Sequence, residues 1–132
     1  MPNLSELVGN RAAVALTVRD ADTAIALGSG DVAVLGTPRV LALAEQACVL
    51  LLADVLPSAW TTVGARVTLD HLAPTEVGGT VVAEAQLTAV DGRTLDFAIT
   101  VSQPSPTDPG VAVDVARITH RRALVRRSRF PT

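Results

Sequence analysis

The sequence predicts an α+β fold in which about five antiparallel strands pack against one long, buried α-helix. Three observations carry this prediction: an almost wholly apolar stretch in the first half of the chain, a change of apolar period from 3.6 to 2 after it, and a two-residue hairpin signal at Asp91-Gly92. A sheet with one apolar face and an apolar helix both need a cover, and each can cover the other.

The helix is predicted to begin at Thr37-Pro38 and to run to about Leu56, where Pro57 ends it. Thr suits the N-cap because its oxygen accepts a free amide hydrogen, and Pro suits the first helical position because it has no such hydrogen to lose. Apart from one cysteine, the only polar side chains inside the apolar stretch are Glu45 and Gln46. A helix that is apolar nearly all round is expected to lie inside the protein.

The strands are predicted from apolar residues that alternate with polar ones. The first strand precedes a turn-rich loop over 20–36, and the four strands after the helix are expected to form an antiparallel meander. A bulge is expected near Ala116 or Arg117, because the apolar phase changes from Val115 to Ile118. The predicted strands cover 11–18, 63–70, 80–89 and 94–101, with the last beginning at 111.

Length and composition restrict the class of protein. A chain of 132 residues fits one domain, 1–132, and its 48% hydrophobic content is enough for a buried core. A formal net charge of -2 and 2% aromatic residues argue against a nucleic-acid-binding module, which needs a basic face or stacking side chains. One cysteine and two histidines cannot close a structural zinc site, so we expect no metal and no cofactor.

The chain also shows no sign of export or of membrane insertion. The segment MPNLSELVGN lacks the pattern of a signal peptide, and the longest purely apolar run, Ala47–Ala53, is far below the ~20 residues of a membrane helix. We therefore expect a cytoplasmic protein with no membrane partner. An edge strand left unpaired in so small a domain favours a homodimer or a higher homo-oligomer.

Two residues stand out as candidates for chemistry. Glu45 places a carboxylate in the middle of an apolar helix, where lost hydration costs several kcal/mol unless the group is paired or protonated. It is interpreted as a general base or nucleophile with a raised pKa; alternatively it lies at an edge of the helix that reaches solvent or a partner subunit. Counting by two from Val63 places His71 on the apolar face, where it can meet Glu45 or can be a buried histidine bonded to a backbone carbonyl.

Other candidates have competing structural explanations. Thr37 is explained as an N-cap, or as a hydroxyl that supports a developing oxyanion at a helix N-terminus. Counting by two places Gly64 on the strand face opposite to that of His71. A glycine there either weakens the strand or lets a ligand come close. A run of arginines between 117 and 129, which includes Arg122, either forms a solvated strand end or attracts the phosphates of an acyl carrier such as coenzyme A.

The segments GSGDVAVLGTPRVLALAEQA, TVGARVTLDHLAPTEVGGTV and VDGRTLDFAITV resemble the hotdog-fold thioesterases related to fluoroacetyl-CoA thioesterase, from about Gly28 to Phe130. The resemblance lies in the spacing of a Thr at the helix start, a Glu eight residues later and a His twenty-six residues after that. It implies a hotdog fold, in which the sheet curls around the helix, and a catalytic set of Thr37, Glu45 and His71.

The resemblance further implies an acyl-CoA substrate, with Gly64 near the acyl carbonyl and His120 and Arg122 at the substrate-binding end. It does not extend to fluoroacetyl selectivity, because residues 20–36 lack the aromatic side chains that the fluoroacetyl-selective enzyme has there. We expect an acyl-CoA thioesterase for a small or medium acyl group. The alternatives are a non-catalytic hotdog protein that binds acyl-CoA or another apolar small molecule and, less favoured by the spacing, a hotdog dehydratase or hydratase.

Overall fold

The computed structural model describes residues 1–130, so the last two residues of the domain predicted over 1–132 lie outside the described residues. It confirms the predicted α+β class: five strands form one sheet and a single long helix lies against it. Three short 3₁₀ turns lie at Ser5–Leu7, Asp20–Asp22 and Arg127–Arg129. The strands are β1 (Arg11–Thr17), β2 (Trp60–His71), β3 (Thr80–Asp91), β4 (Thr94–Pro104) and β5 (Ala112–Arg126), and the helices are α1 (Ala24–Leu27) and α2 (Thr37–Leu52).

The order of strands in the sheet is β1-β3-β4-β5-β2, with every neighbouring pair antiparallel. The predicted four-strand meander is therefore wrong for β2, and only β3, β4 and β5 follow one another. Residues 72–79 between β2 and β3 contain Pro74 and two glycines instead of a two-residue turn, so nothing local holds these strands together. β5 is 15 residues long and pairs with both β4 and β2, which leaves β2 at the edge of the sheet.

The core lies between α2 and the inner face of the sheet, as the two apolar patterns predict. Alternate residues of β3 and β4 are buried, which is the period-two pattern of a sheet with one covered face. The helix contributes the buried residues Val40, Leu43, Ala44, Ala47, Cys48 and Leu52.

Three bulges interrupt the sheet: one lies at Thr88 in β3, and those in β2 and β5 bear on the predicted positions. In β2 the register shifts between Gly64 and Arg66, so Ala65 is an extra residue opposite β5. Because of this shift Gly64 lies on the inner face together with His71, and the prediction of opposite parity for Gly64 is wrong. In β5 the shift places the extra residue at Val115, one position before the predicted site near Ala116 or Arg117.

Both ends of α2 differ from their predicted form. Gly36, not Thr37, is the N-cap, and no side chain caps this end among the described residues. The helix ends at Leu52 instead of about Leu56, because the chain tightens into a turn in which the amides of Val55 and Leu56 both bond to the Leu52 carbonyl. The residue before a proline avoids helical backbone angles, so the turn ahead of Pro57 cannot continue the helix.

Across residues 1–130, neither helix combines the length and the apolar character that a membrane crossing requires.

Candidate active site

A hydroxyl and an imidazole meet at the start of α2. The Oγ1 atom of Thr37 lies 2.9 Å from Nδ1 of His71, a hydrogen bond between the first residue of the helix and the last residue of β2. The other ring nitrogen, Nε2 of His71, is buried and has no hydrogen-bond partner among the described residues. Because Thr37 is not needed as an N-cap, its hydroxyl is available to this pair.

Helix α2 and strand β2 run side by side in opposite directions. Thr37 at the start of the helix contacts His71 at the end of the strand, whereas Glu45, two turns further along, lies against Gly64. Residues four apart share one face of a helix, so Thr37, Leu41 and Glu45 form a stripe that faces β2. This pairing of helix and strand sets the position of every candidate residue.

Glu45 is held by a buried arginine. Its Oε2 atom accepts a hydrogen bond of 2.7 Å from Nη1 of Arg122, and the Arg122 side chain is only 7% exposed against 35% for that of Glu45. Two further bonds fix the guanidinium: Nε donates to Oγ1 of Thr62 at 2.9 Å and Nη2 donates to the Thr62 carbonyl at 3.1 Å. The ion pair offsets the cost of burying each charge, so Glu45 is not the isolated carboxylate expected from the sequence.

His120 completes this cluster. The carbonyl of Arg66 can only accept, so Nδ1 of His120 donates to it at 2.8 Å and carries the ring proton. In the neutral ring Nε2 then accepts from Nη1 of Arg122 at 3.1 Å, and it lies 3.3 Å from Oε2 of Glu45. His120 and Arg122, which the resemblance implies at the substrate-binding end, thus contact the carboxylate from inside the protein.

Gly64 leaves the space in which the Glu45 carboxylate lies. A Cβ atom at this position would stand 2.7 Å from Oε2 of Glu45 and 3.3 Å from Cε1 of His120. No carbon and oxygen atoms pack that closely without a shift, so the absence of a side chain is required here. The inner-face position of Gly64 depends on the extra residue in β2.

The three residues expected to converge do not all meet within one protomer. Thr37 and His71 are in contact, but the described structure shows no hydrogen bond between Glu45 and either of them. Eight residues of helix separate Thr37 from Glu45, a rise of about 12 Å. One chain therefore presents a hydroxyl–imidazole pair and a held carboxylate as two separate groups along the β2 edge.

Cavities follow this edge. One of about 330 Å³ is lined by Thr37 and His71, and a second of about 330 Å³ is lined by Glu45, Gly64 and His120. A wider, mostly apolar groove of about 710 Å³ also reaches Glu45 along the exposed side of α2. Each group of candidate side chains therefore has open space beside it in which a substrate can lie.

Two further residues of the region need comment. Thr62, which positions Arg122, was missed from the sequence because a threonine in a strand gives no signal until its neighbours across the sheet are known.

Burial raises the pKa of the Cys48 thiol to about 12, with Arg122 opposing the rise and the nearby Glu45 carboxylate adding to it. The described residues contain no cluster of metal-ligating side chains.

Most of the C-terminal arginines are engaged within the protein. Arg117 pairs with Asp114 at 2.7 Å, and Arg121 pairs with Asp96 at 2.9 Å. The hydrogen bond from Arg121 lowers the pKa of Asp96. These pairs weaken the interpretation of the arginine run as a group of free cations that attract carrier phosphates.

Comparison with solved structures identifies the architecture. The fluoroacetyl-CoA thioesterase FlK is 26% identical in sequence to this chain, and its structure superposes with a TM-score of 0.82. The match covers 93% of this chain and 90% of the FlK chain. A variant of FlK in complex with fluoroacetate and CoA is 27% identical in sequence and superposes with a TM-score of 0.79. The match covers 94% of this chain and 98% of the variant's chain. A hot-dog-like protein from Thermanaerovibrio acidaminovorans is 22% identical with 99% coverage of both chains and a TM-score of 0.80, a likeness of fold alone. A search of curated proteins found no match.

The curled antiparallel sheet around α2, with these side chains along its open edge, defines a thioester hydrolase of the hotdog fold. The profile of the fluoroacetyl-CoA-specific thioesterase family matches residues 18–128. The chain belongs to this family, as its resemblance in sequence predicted.

Proposed function

We propose that the protein hydrolyses acyl-CoA thioesters with a small or medium acyl group, using Thr37, Glu45 and His71. The observation that carries the proposal is the pair of prepared groups along β2: a threonine hydroxyl 2.9 Å from an imidazole nitrogen, and a carboxylate held against Gly64 by Arg122. The likeness to a FlK variant in complex with fluoroacetate and CoA supports an acyl-CoA substrate.

Each side chain has a chemical role in this proposal. Only Oε2 of Glu45 is bonded to Arg122, so Oε1 can take a proton from water as the water oxygen attacks the thioester carbonyl, or can attack that carbon itself. In the water route, Glu45 returns the proton to the sulfur as the carbon–sulfur bond breaks, which gives the carboxylic acid and the free thiol. In the direct route, the thiolate leaves and takes a proton from solvent, the acyl group stays on Glu45 as a mixed anhydride, and water then hydrolyses this anhydride to release the acid and restore the carboxylate. When Nδ1 of His71 donates to Oγ1 of Thr37, it orients the threonine, whose own hydroxyl hydrogen can be donated to the developing oxyanion or to the attacking group.

The active form is proposed to be a homodimer in which two β2 strands pair edge to edge. β2 is the outer strand of the sheet, and its residues from Gly64 to Thr68 are exposed. Antiparallel pairing about a two-fold axis between residues 67 and 68 would place His71 of one strand opposite Gly64 of the other. Glu45 of one protomer then approaches the Thr37–His71 pair of its partner, which accounts for their separation within one chain.

The test compares hydrolysis of a panel of acyl-CoA thioesters by the wild-type protein and by Glu45→Gln, with the released thiol as readout. Gln keeps the shape of the side chain and removes the base, so kcat is expected to fall by about 10² to 10⁴. The matched control is Gln46→Ala, on the next, exposed position of α2, which should retain wild-type rates.

Equal rates for Glu45→Gln and the wild type would remove Glu45 from the mechanism. Tight binding of acyl-CoA without any release of thiol by the wild type would instead favour a non-catalytic binding protein. Thermal unfolding of each variant separates a loss of chemistry from a loss of fold.

A further inference from the structure

A second cavity lies beyond Glu45, where the C-terminal half of α2 faces the beginning of β2. Its volume is about 340 Å³. Its helix side is apolar, whereas the turns and the strand also contribute polar side chains: Ser58, Thr61, Thr62 and Arg127. The helix supplies Val49, Leu52 and Ala53, the following turn supplies Leu56, and the strand supplies Trp60 and Thr62.

The cavity is continuous with the proposed reaction centre. Val49 lies one helical turn after Glu45 and lines both this cavity and the groove that reaches Glu45. Thr62, on the strand side, bonds directly to Arg122, which holds the Glu45 carboxylate. A molecule whose reacting carbon lies at Glu45 can therefore extend along the helix into the cavity without crossing a packed core.

A turn held in place by hydrogen bonds bounds the far end of the cavity. Arg127 donates to the Ser58 carbonyl at 3.1 Å and to the Trp60 carbonyl at 3.3 Å, which holds the turn at this end. The guanidinium carbons of Arg126 and Arg93 lie 4.9 and 5.5 Å from the centroid of the Trp60 ring, distances at which cation–π attraction keeps the ring in place.

We propose that this cavity holds the acyl chain of the substrate and that it selects a linear acyl group of medium length. The inference rests on the thioesterase function proposed above. From Glu45 to Leu52 the helix rises about 10 Å, which is the length of an extended acyl chain of about eight carbons. The helix side of the cavity is apolar, which suits the methylene groups of an acyl chain, and the turn held by Arg127 at the far end limits chain length.

The first experiment measures kcat/KM for acetyl-, butyryl-, hexanoyl- and octanoyl-CoA. Each buried methylene group strengthens binding about fourfold, so the wild type should prefer octanoyl-CoA to acetyl-CoA by about a hundredfold or more. In Ala53→Phe, an exposed position that lines the cavity, the added ring should lower kcat/KM for octanoyl-CoA at least tenfold and change that for acetyl-CoA less than twofold. Ala15→Phe, on the exposed face of β1, is the matched control and should change neither.

The second experiment does not require turnover. Trp60 is the only tryptophan of the chain, so its emission reports on this cavity alone. The non-hydrolysable thioether octyl-CoA should shift and intensify the emission, CoA without an acyl chain should not, and Ala53→Phe should weaken the octyl-CoA response at least tenfold.

An unchanged Trp60 emission with octyl-CoA, or an equal loss for acetyl- and octanoyl-CoA in Ala53→Phe, would overturn the assignment of the cavity. A failure of the thioesterase proposal has a different signature, because the Trp60 response would then persist while no thiol is released from any substrate.

Discussion

The space between Gly64 of β2 and helix α2 is filled by the Glu45 carboxylate and has no room for a second side chain. A methyl group at Gly64 would come within 2.7 Å of Oε2 of Glu45, so Gly64→Ala must displace either the carboxylate or the strand. We expect Gly64→Ala to reduce kcat by about 10²-fold or more, because a misplaced catalytic group of this kind loses the benefit of orientation. Steady-state thiol release over the acyl-CoA panel measures the effect.

The control for this change is Gly110→Ala. A Cβ at Gly110 would meet its nearest neighbour, Oδ1 of Asp108, at 3.6 Å, which is an ordinary contact, and activity should not change. If Gly64→Ala were as active as Gly110→Ala, the close packing of Glu45 on Gly64 would have no part in catalysis.

Cys48 gives a prediction about pH at the same scale. Its thiol is fully buried, and its pKa of about 12 keeps it protonated far above neutral pH. The folded value lies above the ordinary 9.0, so the thiol contributes to stability fully below pH 9, and this contribution is lost as pH rises toward 12. Native protein at pH 8 should resist a disulfide reagent for thiols, whereas protein in denaturant should react at once with one equivalent; rapid reaction of the native protein would contradict the burial of Cys48.

At the scale of elements, β2 is the strand through which the proposed dimer would assemble. Thr68 is exposed on this edge strand, so a charge placed there would face its own copy or a near neighbour in an edge-to-edge dimer. We expect Thr68→Asp to weaken dimerisation about tenfold, since two like charges at contact distance repel by about 1 kcal/mol or more even when solvated. Sedimentation equilibrium gives the dissociation constant.

Thr100→Asp provides the comparison, because Thr100 is exposed on β4 in the interior of the sheet, away from the open edge. A dimer that is weakened equally by both changes, or by neither, would mean that the subunits do not meet through β2.

The elements differ in how well the sequence predicts them, for identifiable reasons. α2 and the β3–β4 hairpin are encoded locally, by a long apolar stretch and by Asp91-Gly92, and both are confirmed. The edge position of β2 depends on its long-range pairing with β5, and no local turn signals it. The extra residue at Ala65 depends on the same pairing, so the inner-face position of Gly64 could not be read from alternation within β2.

The candidate site shows the same division. The residue types and the spacing of Thr37, Glu45 and His71 can be read from the sequence alone. The bond between Thr37 and His71 was hidden behind the capping preference of threonine, and the ion pair of Glu45 with Arg122 joins residues 77 positions apart. The substrate-binding role that the resemblance implies for Arg122 stays a prediction, whereas its burial and its bond to Glu45 depend on contacts that the sequence does not show.

For the whole molecule, the proposed dimer predicts complementation between inactive variants. A two-fold dimer of Glu45→Gln with His71→Ala would contain one site with both changes and one site with neither, if each site takes Glu45 from one protomer and His71 from the other. Random association of equal amounts should therefore restore about a quarter of wild-type activity. The measurement is thiol release by an equal mixture of the two variants, purified separately and left to exchange subunits.

The alternative arrangement gives a different result. If Glu45 and His71 of one protomer act together, every site in the mixed dimer carries one defect, and activity stays at the level of the single variants. Each variant mixed with itself serves as the baseline.

The extra residue in β2 determines which spacings along this strand bring two side chains to the same surface. Side chains alternate along a regular strand, so Gly64 and His71, seven positions apart, would face opposite surfaces without it. Deleting Ala65 would leave the two residues six positions apart in a regular strand, and both would still face the helix. Natural variants that lack this residue should therefore lose the bulge and keep the shared surface.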